Sequence, residues 1–447
     1  MDRSFVTNYR EEFAQRAPQL AGADLLWLSH ARRDALDQFD TLGFPTPRLE
    51  DWKYTNAADV AKHAFKFADT PTNERGEQGW KTRLSLDADG DDFLVFINGM
   101  YSPLLSRRRH LPDGIVATNM AHALVAHAKE IEDIFERNAG RAAHGFAALN
   151  MAWWSDGAYI ALPDGATLDH AVHLVFVCAD AELECHVRNL IRVGAGARVR
   201  VIEHYLGEND ARYFTNAITQ IEAASGAAVE HYKVQEEGTR AFHVASIDVQ
   251  QGQGSRLSSH SFAFGALLSR TDIATRFLGE GCDASLNGLY VANGRQHVDH
   301  HTRIDHIKPH GTSREYYKGI LDGAARGVFN GKVIVHEGAQ KSDAFQSNRN
   351  LLLSANAEID TKPQLEIYAD DVKCSHGATV GQLDENQIFY LRSRGMDDVA
   401  ARNLLTYAFA DEIVAQVPVA SLRSRLEESL RQKLQLQQTV DLHAEER

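Results

Sequence analysis

Two residues near the end of the chain, Cys374 and His376, have side chains that bind soft metals. They stand two positions apart, and a β-strand would place both on one face, about 7 Å apart along the chain. A thiolate and an imidazole suit iron, zinc, copper or a persulfide carrier, and the adjacent Lys373 is expected to favour the thiolate. Two ligands do not complete a metal site. The spacing also allows a buried thiol and a hydrogen-bonded core histidine, so both interpretations stay open.

A second group of potential ligands lies in the histidine-rich segment from His297 to His310. Alternation along a strand divides this segment into two faces, one with His297, Asp299, His301, Arg303 and Asp305 and the other with Val298, His300, Ile304 and His306. A charged face of a solenoid is usually only solvated. The sequence therefore favours a solvated face over a metal site here.

Cys374 and His376 are predicted to lie on the last rung of a stack of strands. Glycines that mark turns recur roughly every 27 to 30 residues, which is typical of a solenoid: Gly196, Gly226, Gly254, Gly281, Gly311 and Gly338. The segments between them, such as 197–205 and 284–291, are rich in β-branched and aromatic residues and too short for helices. This predicts a mainly β protein with a parallel β-helix core of about seven coils, on the order of 30 Å long. A β-sandwich with coincidental loop spacing is the alternative.

The N-terminal region, residues 1–155, is predicted to be helical with one β-hairpin. Apolar residues follow helical spacing at 2–16, 23–39, 120–137 and 146–154. The segment 93–105 has Asn98-Gly99 at its centre, the signature of a type I′ hairpin turn. The segment 45–55 is predicted to be an ordered loop, because two prolines stiffen it and Trp52 gives it a side chain to bury.

The chain becomes helical again after the predicted β-helix core, residues 156–383. In the C-terminal region, residues 384–447, helices are predicted to start at Asp384, Asp397 and Ser421. These helices carry an apolar stripe. They are expected either to pack on the end of the solenoid or to present a surface to a partner.

Composition and charge exclude several classes of protein. The chain has 447 residues, with 47 Lys and Arg against 61 Asp and Glu and a net charge of -14, so it should repel a phosphate backbone and an anionic membrane surface. Neither nucleic acid nor a membrane is therefore an expected partner. The longest apolar run, 171–179, is too short to span a bilayer and the N-terminus lacks a signal pattern, so a cytoplasmic location is expected. Four cysteines without Cys-x-x-Cys spacing fit reduced thiols.

The sequence also lacks the common nucleotide and nucleophile motifs. The segment from Gly327 to Lys332 has the wrong spacing for a phosphate loop, and Val333 stands where a Ser or Thr would hold magnesium. The chain contains no G-x-S-x-G elbow. If ATP is needed, another protein is expected to supply the site.

Several runs across the chain resemble the SufD family, subunits of the SUF (SufBCD) iron-sulfur cluster assembly complex. They are Phe329-Asn-Gly-Lys-Val, Asp360 to Gly381, Gln387-Ile-Phe-Tyr-Leu-Arg-Ser-Arg-Gly, Glu50-Asp-Trp-Lys-Tyr-Thr and Phe96-Ile-Asn-Gly. The paralogue SufB differs in two places: it carries a cysteine on the rung where this chain has Ala357, and a Glu-rich segment where this chain has Lys373-Cys-Ser-His-Gly. The chain therefore resembles SufD and not SufB.

The resemblance implies a fold and a role. The fold would be a right-handed parallel β-helix flanked by N-terminal and C-terminal helical domains. The protein would be a scaffold without turnover of its own, would pair with SufB, and would bind the ATPase SufC through its C-terminal domain. A nascent iron-sulfur cluster would form at the SufB-SufD junction, with His376 matching a family ligand and Cys374 the neighbouring family cysteine. A reduced flavin is associated with such complexes, but no residue here matches a site for it. A homodimer of the isolated chain stays open.

Two other classes of function remain alternatives. A β-helix polysaccharide lyase or glycosidase would need acidic and basic side chains converging in a groove, for which Asp299, Arg303 and Asp305 are candidates. A structural binding partner would have no metal site, and its Cys374 and His376 would be core residues. Anaerobic reconstitution with iron and sulfide separates the three, because only the scaffold predicts a cluster that needs a partner subunit.

Overall fold

The structure is a computed structural model that describes residues 3–68, 74–84, 90–109, 111–137 and 142–434. The predicted helical start at residue 2 and the polar tail after residue 434 lie outside the described residues. The described helices are α1 (Arg3–Arg16), α2 (Leu26–Leu42), α3 (Ala58–Lys62), α4 (Glu74–Leu84), α5 (Met120–Ala126), α6 (Ala128–Arg137), α7 (Gly145–Trp153), α8 (Glu385–Ser393), α9 (Asp398–Val414) and α10 (Ala420–Lys433).

The strands fall into an irregular N-terminal group and a regular series that follows it. The first group is β1 (Lys66–Phe67), β2 (Asp92–Ile97), β3 (Met100–Tyr101) and β4 (Val116–Asn119). The regular series is β5 (Ala158–Leu162), β6 (Val172–Cys178), β7 (Leu183–Val193), β8 (Arg198–Gly207), β9 (Phe214–Ala223), β10 (Ala228–Gln235), β11 (Phe242–Gln251), β12 (Arg256–Ala263), β13 (Leu268–Phe277), β14 (Asp283–Ala292), β15 (His297–His306), β16 (Thr312–Leu321), β17 (Arg326–Val335), β18 (Asp343–Leu352), β19 (Glu358–Ile367) and β20 (Lys373–Gly381).

The regular strands wind into a parallel β-solenoid of about eight turns. Odd-numbered strands from β5 to β19 pair side by side in one sheet, called sheet 1, and even-numbered strands from β6 to β20 form sheet 2. Each turn of the solenoid therefore contributes one strand to each sheet. The predicted β-helix with helical flanks is confirmed, with one turn more than expected. Each interval between turn glycines holds two strands, one in each sheet.

Left-handed backbone at one corner of the solenoid explains the glycine period. Gly196, Gly226 and Gly254 have φ values of 68°, 69° and 63°, a conformation that glycine adopts without steric cost. The last two corners differ from the prediction. There His310 (φ 63°) and Lys341 (φ 62°) are the left-handed residues, and the neighbouring glycines at 311 and 338 are not. These corners therefore carry a backbone conformation that costs a non-glycine residue energy.

The N-terminal region is joined to the solenoid by its hairpin. β2 and β3 pair antiparallel around Asn98 (φ 51°) and Gly99 (φ 81°), so the predicted type I′ hairpin is confirmed. β2 also pairs in parallel with β6 and extends sheet 2, so this sheet crosses the boundary predicted at residue 156. The predicted helix 120–137 is two helices, α5 and α6, which meet at His127.

Helices and loops cover the outer faces of both sheets. On sheet 1, Phe214 and Phe242 pack against aromatic residues of the N-terminal helices and of the loop before α3. On sheet 2, α9 and α10 pack on residues such as Ile202 and Phe262. Of the two alternatives for the C-terminal helices, packing on the end of the solenoid does not hold for α9 and α10, which cover the apolar outer face of sheet 2. α10 follows an N-cap at Val419 and does not start at Ser421.

No helix in the described ranges is long and apolar enough to cross a membrane.

Candidate functional site

The C-terminal end of the solenoid is open. β19 pairs only with β17 and β20 only with β18 in the part of the chain that the structure describes. Every residue of β20 except Cys374 is exposed. Exposed terminal strands present unpaired backbone donors and acceptors, which proteins usually cover or pair.

Cys374 and His376 both point to the interior side of β20. In the strand register they lie over Ala344 and Gln346, which are 2% and 0% exposed inside the solenoid. The predicted common face is confirmed. Cys374 is half-buried against the apolar interior, and His376 is exposed. The alternative of a buried core histidine is therefore wrong for this chain, because no further coil among the described strands covers the last rung.

The surroundings of Cys374 do not favour its thiolate. Partial burial raises the pKa of the Cys374 thiol, and Asp343 adds to the rise. The expectation that Lys373 promotes the thiolate is therefore wrong. Asp343 is itself paired with Arg314 at 2.9 Å. The thiol lies at an open cavity of about 400 Å³, so it is accessible from outside. A bound metal or a second chain would have to supply the charge that stabilises a thiolate here.

A buried polar column lies directly beneath His376. Gln346 is in register with His376 above it and with Glu315 below it, and its Nε2 donates a hydrogen bond to Glu315. Glu315 is 1% exposed, and burial raises its pKa to about 7. Sequence reasoning missed both residues. No sequence signal separates them, because other interior positions of the same strands, such as Asn348 and Asn350, are also polar.

Two potential ligands remain too few for a metal site in the isolated chain. Across the described ranges, no group of three or more His, Cys, Asp or Glu side chains is arranged to hold a metal ion. All four cysteines are free. Cys178 and Cys185, which looked unrelated in sequence, have their sulfurs 3.5 Å apart in the interior near the start of the solenoid. They are remote from Cys374, since six turns separate β7 from β19.

On the charged face of the histidine-rich segment only Arg303 is exposed, so the prediction of a solvated face is wrong for most of this face. Asp299 is fully buried; it accepts hydrogen bonds from Arg270 at 2.9 Å and from Thr55, and lies 3.1 Å from His301. Arg270 in turn stacks on Trp52 at 3.8 Å. The predicted ordered loop 45–55 therefore covers this face of sheet 1. The network is a buried structural ion pair and leaves Asp299 inaccessible to a sugar chain.

The opposite, interior face of the segment follows the predicted alternation. Val298, His300, Ile304 and His306 are all at most 1% exposed. Burial lowers the pKa of His300 to about 3 and that of His306 to about 4. These histidines are therefore neutral core residues at pH 7.

Replacing Asp299 with asparagine is expected to cost about 1 to 3 kcal/mol of unfolding free energy, because the buried Arg270 would lose one of its two carboxylate partners and keep only Asp272, at 2.8 Å. Burial alone would raise the pKa of Asp299, but His301 and Arg270 hold it well below its usual range. The stabilisation is thus complete above the unfolded pKa of about 4 and declines as pH falls below it. Urea denaturation of Asp299→Asn and wild type at pH 7 and at pH 3.5 measures both effects.

Asp305→Asn is the matched control for this network. Its partners Arg303 and His336 are 53% and 44% exposed, so the loss should be smaller. An Asp299→Asn protein with wild-type stability at pH 7 would contradict the assignment.

The segment that resembled a phosphate loop lies within β17, and Lys332 pairs with Glu366 at 2.9 Å. A strand cannot wrap phosphate as a loop does.

The C-terminal helices have an exposed apolar surface. Phe389 and Tyr390 on α8 are 72% and 57% exposed, and Val399 on α9 is 68% exposed. We call these three residues the α8–α9 patch.

Comparison with known proteins identifies the family. The family model for the SufBD protein N-terminal region matches residues 4–174, and that for the SUF system FeS cluster assembly SufBD core domain matches residues 176–409. An iron-sulfur cluster assembly SufBD family protein of Synechocystis is 35% identical over 427 residues, covering 91% of each chain. The iron-sulfur cluster assembly protein SufD of Escherichia coli is 33% identical over 415 residues, covering 89% of this chain and 91% of its own. This chain therefore belongs to the SufBD family of iron-sulfur cluster assembly proteins.

Proposed function

We propose that this chain is a non-catalytic scaffold subunit of SUF iron-sulfur cluster assembly. It pairs with SufB through β19 and β20 and binds the ATPase SufC through its C-terminal helices. The nascent cluster forms at the junction of the two scaffold subunits, with His376 as a ligand and Cys374 in support. In this proposal the cluster is cargo that is built and handed on.

One observation carries the proposal: two soft-metal ligands lie on the last, uncovered rung of an otherwise closed solenoid. Iron in clusters takes four ligands, mostly sulfur. A half-site on an unpaired strand edge is what a shared site requires, because a second chain that continues the sheets would bring the missing ligands to the same place. Membership of the SufBD family supports this interpretation.

Anaerobic reconstitution with ferrous iron and sulfide tests the proposal. The chain alone and SufB alone are expected to give little cluster absorption, whereas the two together give a cluster that survives desalting. Absorption of equal strength from this chain alone would contradict a shared site. Failure of the mixture to form a cluster, with the heterodimer intact, would contradict the scaffold role.

The proposal has two further parts. Four free cysteines fit a reducing compartment, and we propose the cytosol. The resemblance associates a reduced flavin with these complexes, but no residue set among those described matches a flavin site, so the proposal assigns none.

The α8–α9 patch is proposed as the docking surface for SufC. Phe389, Tyr390 and Val399 are large exposed apolar side chains on two adjacent helices. Exposed apolar clusters of this kind mark interaction sites. Deleting α9 and α10 is a poor test, because it would uncover the apolar face of sheet 2 beneath them.

Replacing Phe389 and Val399 with serine is expected to weaken SufC binding by more than about tenfold, because exposed apolar anchors contribute most of the binding energy at such interfaces. The thermal unfolding of the chain should change little, since both side chains already contact water. Titration of SufC by calorimetry measures the affinity. Val125→Ser is the matched control, since Val125 is 86% exposed on α5 in the N-terminal region. Wild-type affinity of the double variant would contradict this docking surface.

A further inference from the structure

Gln346 is one of several polar residues buried inside the solenoid. It is 0% exposed, and its Nε2 donates to Glu315, but its Oε1 is buried and has no hydrogen-bond partner. A buried amide oxygen without a donor costs free energy. This oxygen therefore needs a donor, and no described group bonds to it in the structure.

The backbone makes room for this amide. A Cβ atom at Gly331, on the facing strand β17, would lie 2.1 Å from Gln346 Nε2. The side chain of Gln346 thus reaches across the interior to sheet 1 and occupies space that any larger residue at position 331 would fill. Glu315 anchors the nitrogen end of the amide from below. Because the two ends of an amide are fixed relative to each other, the anchor also fixes where the oxygen lies.

The residue that lies over Gln346 in the next rung is His376, whose imidazole can donate a hydrogen bond; the bond is not formed in this structure, and the exposed ring has to turn to make it. His376 lies directly over Gln346 in the register of β18 and β20, and both side chains are on the interior side. Adjacent parallel strands are about 4.8 Å apart, so side chains at paired positions are within contact distance. A neutral imidazole has one N–H donor and one lone pair. Metal-bound histidines commonly donate the remaining N–H to an oxygen acceptor, which fixes the ring.

We propose that Gln346 is the positioning residue for His376: its amide oxygen accepts a hydrogen bond from one ring nitrogen, which leaves the other nitrogen free to face the cluster. This inference rests on the proposed function for the role of His376 and adds the residue that orients it. Glu315 acts one step further down, by holding the amide in the required orientation. The column Glu315, Gln346, His376 thereby prepares the ligand before a partner arrives.

Nitrogen NMR of the full chain labelled with ¹⁵N-histidine tests the contact without any cluster. The His376 signals are identified by their loss in His376→Ala. At a pH where the ring is neutral, wild type is expected to show one dominant tautomer, and Gln346→Met, which keeps the length of the side chain and removes the amide, should show a solvent-like mixture. Ser347→Ala is the matched control, since Ser347 lies on the opposite face of β18 and should leave the tautomer unchanged.

Cluster assembly with SufB provides the second readout. Gln346→Met is expected to slow cluster formation by about 10- to 100-fold, the usual loss on removing the partner of a metal-bound histidine. If His376 in the wild-type chain shows a mixture of tautomers like that of free imidazole, the inference is overturned. This result needs only the wild-type chain, so it is decisive even if Gln346→Met does not fold. An unchanged tautomer in folded Gln346→Met would also overturn it. If wild-type His376 shows a single tautomer but His376→Ala still forms the cluster normally, His376 is not the proposed ligand. The contact between Gln346 and His376 would then remain supported.

Discussion

The His376→Ala variant is expected to form no stable cluster with SufB while unfolding at almost the wild-type temperature. The imidazole is exposed on the last rung, so its loss should change the unfolding free energy by no more than about 0.5 kcal/mol and the melting temperature by about 1 to 2 °C. Loss of a cluster ligand, in contrast, removes an iron–nitrogen bond that neighbouring groups cannot replace. Cluster absorption after desalting and differential scanning calorimetry measure the two effects on one preparation.

Ser375→Ala is the control for this variant. Ser375 is also exposed on β20, but it lies over Phe345 on the outer face of the strand, so it should affect neither cluster nor stability. Normal cluster yield in His376→Ala would remove His376 as a ligand and leave Cys374 as the candidate. The histidine-rich segment would not then be a replacement, because its interior histidines and Asp299 are buried.

The architecture of the solenoid could be predicted from the sequence because the signals for its turns and helix starts are local. Four corner glycines have the left-handed backbone that only glycine adopts freely, and the N-caps Asp384 and Asp397 accept hydrogen bonds at the starts of α8 and α9 as predicted. His310 and Lys341 could not be predicted as left-handed residues. Their conformation is imposed by the stacking of neighbouring coils, which outweighs the local preference.

The burial of charged residues was not predictable from local patterns. Alternation correctly divided the histidine-rich segment into two faces, but the loop that covers its charged face is 244 residues away in the chain. The path of α10 along sheet 2 likewise depends on residues more than 150 positions earlier, as the contact of Arg425 with Glu236 shows. Apolar periodicity reveals that a face is covered and does not reveal by what.

The candidate site was only half visible in the sequence for the same reason. Cys374 and His376 can be identified as candidate ligands from their residue types and spacing. Gln346 and Glu315 are ordinary polar residues in sequence, and they gain significance only through the register that stacks them under His376. His376 is accessible because no further coil covers β20 among the described strands. A periodic sequence pattern does not predict whether its last coil is covered.

The heterodimer is proposed to form by continuing sheet 2 across the open edge of β20. In this strand Lys373 N–H bonds to Ser342 O, and alternation then turns the backbone groups of residues 375, 377 and 379 toward β18 and those of Ala378 and Val380 toward the open edge. Proline lacks the N–H donor. Replacing both Ala378 and Val380 with proline should thus block pairing with SufB at two positions and leave the ladder to β18 in place.

The double variant Ala378→Pro/Val380→Pro is expected to weaken SufB binding by at least about 30-fold, since each partner carbonyl left without its donor costs about 1 kcal/mol or more. Thr379→Pro is the matched control, because the N–H of Thr379 faces β18 and its loss should destabilise the last rung of the chain itself. Light scattering of the mixed subunits at micromolar concentration, with calorimetric melting of each chain alone, separates the two effects. A wild-type heterodimer from the double variant would contradict pairing through β20, and the interface would then have to be made by side chains alone.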